Sequence, residues 1–400
     1  MQKNYAVQEK HDRKTWRTSH KNLYVLVTLL LGVVIIALAF YFTRETRAAA
    51  GDFAIYREAA GLESVTTTLT DQAWDTTVSQ AGLFSIDAGR TTITLSETGH
   101  YLAMYNLGVE VNTGTQKGST HSYLDVNGAQ SAYGRSSCYL ENQGGQTKCW
   151  MSGAAIINTT AINETLKVQT QRKDDGTLSV RRLAGESGVT LVRLDPDWNY
   201  ARIREVGGGQ GFNTSAWTTV ALDTNDELDT GFSHTAGVIT LADAARYIVT
   251  TNVEFYSTAG AKNRLLGTRL TLGGTEIDGT RVTALMSGDN DSDYGVASYV
   301  GIIETTSANQ VLRLEGACLG EDCGKTTNLA NETAVTLVRL PDTVEVVGVT
   351  ETGGGQQVDA SNDPITWDTN EFVDTAAFAH STTLDNKRVT VQEDDEYIID

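Results

Sequence analysis

A chain of 400 residues with 50 Asp and Glu against 31 Lys and Arg carries a formal charge of −19. That acidity argues against nucleic acid or anionic lipid as the partner of its bulk, because like charges repel. The charge is uneven: residues 1–50 hold 8 Lys and Arg and only 3 Asp and Glu, so the acid excess belongs to residues 51–400, as a solvated surface or as an attractor of divalent cations.

Residues 1–22 form a basic tail with Lys3, Lys10, Arg13, Lys14, Arg17 and Lys21. Residues 23–42, LYVLVTLLLGVVIIALAFYF, are 20 positions without a charge, enough for a helix to cross a hydrocarbon core of roughly 30 Å. Tyr24 and Tyr41 sit near its ends, where amphipathic rings favour the interface. Only Arg44 and Arg47 follow closely. The bias predicts a single-pass protein with a cytoplasmic N-terminus and an extracytoplasmic bulk. The tail serves orientation, with contact to anionic inner-leaflet lipid as a second use. Residues 43–50 read as a juxtamembrane linker. Cleavage after Ala48-Ala49-Ala50 is the rival reading, but the apolar run exceeds a usual signal-peptide core, and Arg44-Glu45-Thr46-Arg47 separates it from that site.

Beyond the anchor the chain repeats itself. Val189–Leu194, VTLVRL, returns letter for letter as Val335–Leu340, 146 residues on. Ile93-Thr94-Leu95 before Tyr101 matches Ile239-Thr240-Leu241 before Tyr247, then Val389-Thr390-Val391 before Tyr397, with the tyrosine six positions after the triplet each time. Such a period is too long for a solenoid and right for a whole domain. The copies are assigned to 51–197, 198–342 and a partial third at 343–400. Half a sandwich would expose an unpaired edge, so the third copy is expected to continue beyond Asp400 or to pair with something else.

Within a copy, strand signals dominate. Phe53–Glu58, Tyr200–Glu205 and Val346–Glu351 open the three copies, and Gly207-Gly208-Gly209-Gln210 and Gly353-Gly354-Gly355-Gln356 follow in the last two. A tryptophan comes next (Trp74, Trp217, Trp367), then a phenylalanine (Phe84, Phe232, Phe378). Period-2 alternation rich in Thr, Val, Ile and Tyr, broken by turns such as Asn127-Gly128, Gly273-Gly274 and Asp175-Gly176, predicts all-β sandwich or barrel domains with no amphipathic helix. Four cysteines allow three pairings. Two local disulfides, Cys138–Cys149 and Cys318–Cys323, suit an oxidising compartment. Zinc is the alternative, though the spacings lack close CxxC pairs and no histidine adjoins either pair.

The pattern resembles the C1q/TNF-like jelly-roll superfamily. In the first copy the matching segments are Phe53–Arg57, Phe84, Gly99-His100-Tyr101, Leu124–Gly128, Thr165–Thr170 and Val189–Leu194. In the second they are Phe232, Tyr247, Leu270–Gly274, Gln310–Glu315 and Val335–Leu340. The second copy departs in having Ala245 where the first has Gly99. The resemblance implies jelly rolls that trimerise through apolar flanks, bind ligands at their surfaces and are not enzymes.

Catalytic signals are sparse. No HExxH, GxSxG or Cys/His pairing occurs, GGGQ lacks the Lys-Ser/Thr of a P-loop, and the histidines (His11, His20, His100, His121, His234, His380) share no catalytic spacing. No cofactor is expected, with one open alternative: Asp289, Asp291 and Asp293 alternate before Gly295 and could wrap Ca²⁺, or form a solvated loop. Asn158, Asn163, Asn213, Asn290 and Asn331 head glycosylation sequons. The expected function is a membrane-anchored surface protein displaying tandem C1q/TNF-like domains for ligand binding or adhesion, multivalent and homo-oligomeric. A structural fibre or envelope subunit is the first alternative. A carbohydrate-binding or carbohydrate-active sandwich is the second, with Trp74, Trp217 and Trp367 as platforms or as core residues.

Overall fold

The computed structural model describes residues 53–392 except 62, 114–116, 142–146, 174–177, 197, 213–214, 258–263, 287–293, 321–322, 324–325, 352–363 and 384–385. The segments 1–22, 23–42 and 43–50, the Asp289–Asp293 run, Asn213, Asn290 and the Asp175-Gly176 turn lie outside the described residues. Among the described residues there is no helix, and so none long and apolar enough to cross a membrane.

Residues 53–193 build two antiparallel sheets. One runs Thr76–Gln80, Phe53–Glu58, Ser187–Arg193, Gly99–Thr113, Lys148–Thr159 by successive pairing. The other runs Phe84–Ile86, Ile93–Leu95, Glu164–Arg172, Lys117–Val126, Ser136–Glu141. From Ile93–Leu95 onward these strands cross between the sheets at every connection except that from Lys117–Val126 to Ser136–Glu141, which is jelly-roll order. Trp74, Phe84, Tyr101, Leu124, Leu166 and Leu191 fill the space between them.

Residues 200–339 repeat the order. Thr224–Leu228, Tyr200–Glu205, Thr326–Arg339, Arg246–Ser257 and Tyr294–Glu304 form one sheet. Phe232–Thr235, Val238–Leu241, Gln310–Cys318, Arg264–Leu272 and Val282–Met286 form the other. No sheet mixes strands of the two modules among the described residues. The copies agree in detail. A register shift falls between Ile55 and Tyr56, between Arg202 and Ile203, and again between Gly348 and Val349. Asn127 and Gly128 both have positive φ, as do Gly273 and Gly274 at the equivalent hairpin, the conformation that a two-residue turn between twisted strands requires.

Burial explains the strand patterns. Ile93 and Leu95 are buried and Thr94 is half-exposed, as expected where one face meets a core. Gly99–Thr113 is buried on both faces along much of its length, because its second face meets the neighbouring module. The third stretch supplies Val347–Thr350 paired with Thr369–Val373, and Phe378–His380 paired with Val389–Val391.

Both disulfides are present. Cys138–Cys149 ties an edge strand of one sheet to an edge strand of the other, and Cys318–Cys323 closes a short loop after the Gln310–Cys318 strand.

Candidate functional site at the module seam

The first two modules meet along a mixed seam. At one end Leu102, Ile156, Leu194, Tyr200 and Val338 form an apolar cluster, with Met104, Val192, Trp198 and Ile248 half-buried around it. His100 stacks on Tyr200 at 3.8 Å between ring centroids, and its Nε2 lies 2.5 Å from Glu227 Oε1. Burial pushes the Glu227 carboxyl up, but the His100, Asn158 and Arg202 contacts outweigh it and hold the group below its ordinary range.

Deeper in the seam sits a charged cluster. Arg135 of the first module places Nη1 3.2 Å from Glu254 and 3.0 Å from Glu332, both of the second. The Arg135 guanidinium also lies over the Tyr123 ring at 4.9 Å. Its loop is held from below: Arg135 Nε donates to the Ser131 carbonyl, and the Tyr105 hydroxyl lies 2.9 Å from the Gly134 carbonyl. Tyr105 needs Gly153 opposite it, since a Cβ there would sit 2.5 Å from the ring.

His121 is fully buried beside this cluster, with Nδ1 3.5 Å from Glu254 Oε1 and neither ring nitrogen hydrogen-bonded. Burial, aided by the Lys173 and Arg135 charges, holds its pKa down to about 3, so at neutral pH it is an uncharged ring. Burial and the Glu332 carboxylate push Glu254 the other way, well up, while Arg135 and Lys173 pull it back. Lys173 sits over the Tyr294 ring at 5.5 Å, another cross-module contact. Backbone polar groups complete the seam: Asn252 donates to the Ala132 carbonyl, Val296 N–H to Ser137 Oγ, and Ser298 Oγ to the Ser152 carbonyl.

Where the seam opens to solvent it leaves a cleft of about 410 Å³ lined by Tyr133, Arg135, Arg202, Arg204, Asp226 and Asn331, among others. Tyr133 donates to Asp226 at 2.7 Å, and Arg204 bonds Asp226 and Asn331. Arg202 differs. Its guanidinium stacks on the Tyr133 ring at 4.6 Å, its Nε is buried without a hydrogen-bond partner, and it forms no ion pair within 4.0 Å among the described residues. Its charge acts on Glu227, opposite it in register, at longer range, and His100 engages that carboxylate directly. A guanidinium presents five donors in a planar fork suited to carboxylate or sulfate oxygens.

The candidates expected from the sequence fall elsewhere or at the rim. Asn163 is exposed in a turn, and Asn331 is exposed at the cleft. Asn158 is half-buried with its amide 3.4 Å from Glu227, so a glycan there would displace a seam contact. The three tryptophans do not share an environment: Trp74 is fully buried, while Trp217 is half-exposed under Arg269 and Arg281 at 4.4 and 5.3 Å, and Trp367 is half-buried. Among the described residues no group of three His, Cys, Asp or Glu is placed to hold a metal. Arg135, Arg202, His121 and Glu254 do not stand out in the sequence as a site. A signal existed: at the 146-residue offset His121 corresponds to Gly267, and Glu254 to Gly108. Each copy thus carries one ionisable group where the other has none, and the two meet.

No family model matches the chain, and no curated protein matches it. Among solved structures it is similar to murine APRIL, at 13% identity over 36% of this chain and 100% of that one with a TM-score of 0.27 (crystal at pH 8.5), and at 14% identity over the same shares with a TM-score of 0.26 (pH 8.0). It is also similar to the N-terminal CBM22-1–CBM22-2 tandem domain of Xyn10C from Paenibacillus barcinonensis, at 9% identity over 70% of this chain and 98% of that one, TM-score 0.20. At these scores the likeness carries no weight, and the jelly-roll assignment rests on the strand order.

Proposed function

We propose that this chain is a non-catalytic, single-pass membrane protein that displays tandem jelly-roll modules outside the membrane and binds an anionic ligand in the cleft at the module seam. The apolar run 23–42 with its basic flank supports the anchoring. The observation that carries the binding reading is Arg202: a guanidinium stacked on Tyr133, facing a cleft, with no ion pair among the described residues. Of the cleft's three arginines, Arg135 and Arg204 are engaged by carboxylates, which leaves Arg202 to attract a carboxylate or sulfate. Tyr133 and Asn331 would supply stacking and hydrogen bonding. Each weak site would gain from repetition along one anchored chain.

The test is a calorimetric titration of the full chain in detergent with glucuronate, with glucose as the uncharged control. The proposal expects glucuronate alone to bind, and Arg202→Ala to weaken it at least tenfold. Equal response to both sugars, or none to either, would count against it.

A further inference from the structure

The cleft and the buried charged cluster share a wall. Arg135 and Glu332 line the cleft, and both also belong to the cluster behind it. One nitrogen, Arg135 Nη1, meets two carboxyls: Glu332 at 3.0 Å and Glu254 at 3.2 Å. Glu332 is 28% exposed and Glu254 only 1%, so the first faces the cleft and the second faces inward. One guanidinium therefore serves two carboxyls, and full ionisation of both would leave an excess negative charge in the wall.

The groups packed around Glu254 decide where that charge goes. From the first module come Arg135, Tyr123 beneath it, and His121, whose Nδ1 lies 3.5 Å from Glu254 Oε1. Lys173 of the same module lies over the Tyr123 and Tyr294 rings at 5.8 and 5.5 Å. From the second module come Tyr294 and Glu332. His121 is uncharged at neutral pH and adds no positive charge. Burial pushes the Tyr123 hydroxyl up, so it keeps its proton. For Glu254, burial and Glu332 outweigh the pull of Arg135 and Lys173, and Glu332 is placed to accept a hydrogen bond from the protonated acid.

We infer that the cleft takes up its anion together with one proton, held by the Glu254–Glu332 pair, so that binding tightens in acid and weakens as pH rises. This rests on the anion reading of the cleft given above. An anion at Arg202 sets a second negative charge beside Glu332 in the same cleft. Like charges disfavour ionisation, so the bound anion makes the pair hold its proton more tightly. Linkage is reciprocal: the proton strengthens anion binding by the same factor, on the order of tenfold for charges this close. The other acids near Arg202 are already committed, Asp226 to Tyr133 and Arg204, and Glu227 to His100.

Calorimetric titration of the full chain in detergent with glucuronate tests it, from pH 5 to pH 9, in two buffers of different ionisation enthalpy at each pH. The difference in heat counts the protons taken up on binding. The inference expects uptake that rises toward one proton per ligand within this range, and an affinity that falls about tenfold across it. Glu254→Gln keeps the shape and a permanent donor toward Glu332. It should abolish the uptake and hold at pH 9 the affinity that the wild type shows in acid. Binding by the wild type with no proton uptake overturns the inference while leaving the anion reading in place, and this count needs no variant. Uptake that survives in Glu254→Gln also overturns it, because the proton then belongs to another group such as His100. No binding of glucuronate by the wild type at any pH removes the anion reading itself, and the inference with it.

Discussion

Arg135 and Glu254, 119 residues apart, join two modules through a contact of 3.2 Å between side chains that are only 5% and 1% exposed. Burying a charge is costly unless it is paired, and removing one partner of a buried pair leaves the other stranded. Arg135→Met is therefore expected to destabilise the chain by about 3–5 kcal/mol. The double variant Arg135→Met/Glu254→Leu should recover most of that loss. Urea unfolding of the wild type and both variants checks it; a loss under about 1 kcal/mol for the single change would show that the pair does not hold the seam.

His121 imposes a pH dependence with a definite sign. Its folded pKa is lowered to about 3 from the ordinary 6.5. Below 6.5 the unfolded chain takes up a proton there that the folded chain refuses, so this group's contribution falls as pH drops from about 6.5 toward 3, by about 1.4 kcal/mol per unit. Glu254, pushed up by burial, acts in the opposite sense above its ordinary value, because there the folded form holds the proton more tightly. The clean readout is therefore a difference. The stability of wild type minus that of His121→Gln, measured at pH 7, 6 and 5, should decline as pH falls. A difference that does not change with pH would mean that the fold leaves the His121 pKa at its ordinary value, and one that rises as pH falls would mean that the fold holds the ring protonated.

The two disulfides should be unequal. Cys138–Cys149 closes a separation of 11 residues and Cys318–Cys323 one of 5. Loop-closure entropy ranks them, and the longer loop contributes about 3 kcal/mol. The first also bridges the two sheets. Replacing Cys138 and Cys149 with Ala should lower the thermal midpoint more than replacing Cys318 and Cys323, as calorimetry of the two double variants would show.

Tyr101 and Tyr247 make the same bond in successive modules, each hydroxyl donating to the carbonyl four residues earlier, of Glu97 at 2.9 Å and Asp243 at 3.0 Å. Tyr→Phe at either position is expected to cost about 1 kcal/mol, and the two losses should add because the bonds are independent. Unfolding of the two single variants and the double variant checks both points.

Much of the fold was legible because repetition reports structure directly. Tyr101, Tyr247 and the shared VTLVRL strand aligned two modules, and period-2 patterns marked strands that face one core. The cysteine pairs were legible from local spacing. The seam was not, for a physical reason. A seam residue such as Leu102 or Val338 is apolar, like any core residue, and nothing local says that it faces another module. The tryptophans do not hold one place: Asp75 and Asp223 make the same bonds, so Leu222 and not Trp217 answers Trp74, which fills a core, whereas Trp217 lies on Gly267 beneath two arginines. Arg202 and Arg135 read as ordinary strand or loop charges until the fold brings them to one cleft.

The central claim is that the first two modules behave as one unit with a fixed seam. Hydrogen exchange of the full chain across a gradient of sub-denaturing urea tests it most directly, following peptides from Gly99–Thr113 in one module and Arg246–Ser257 in the other. The account predicts that both strands reach the same opening free energy and the same urea dependence, because the Arg135 cluster and the Leu102 cluster must break together. Two separate free energies with independent urea slopes would contradict it and make the modules beads on a string.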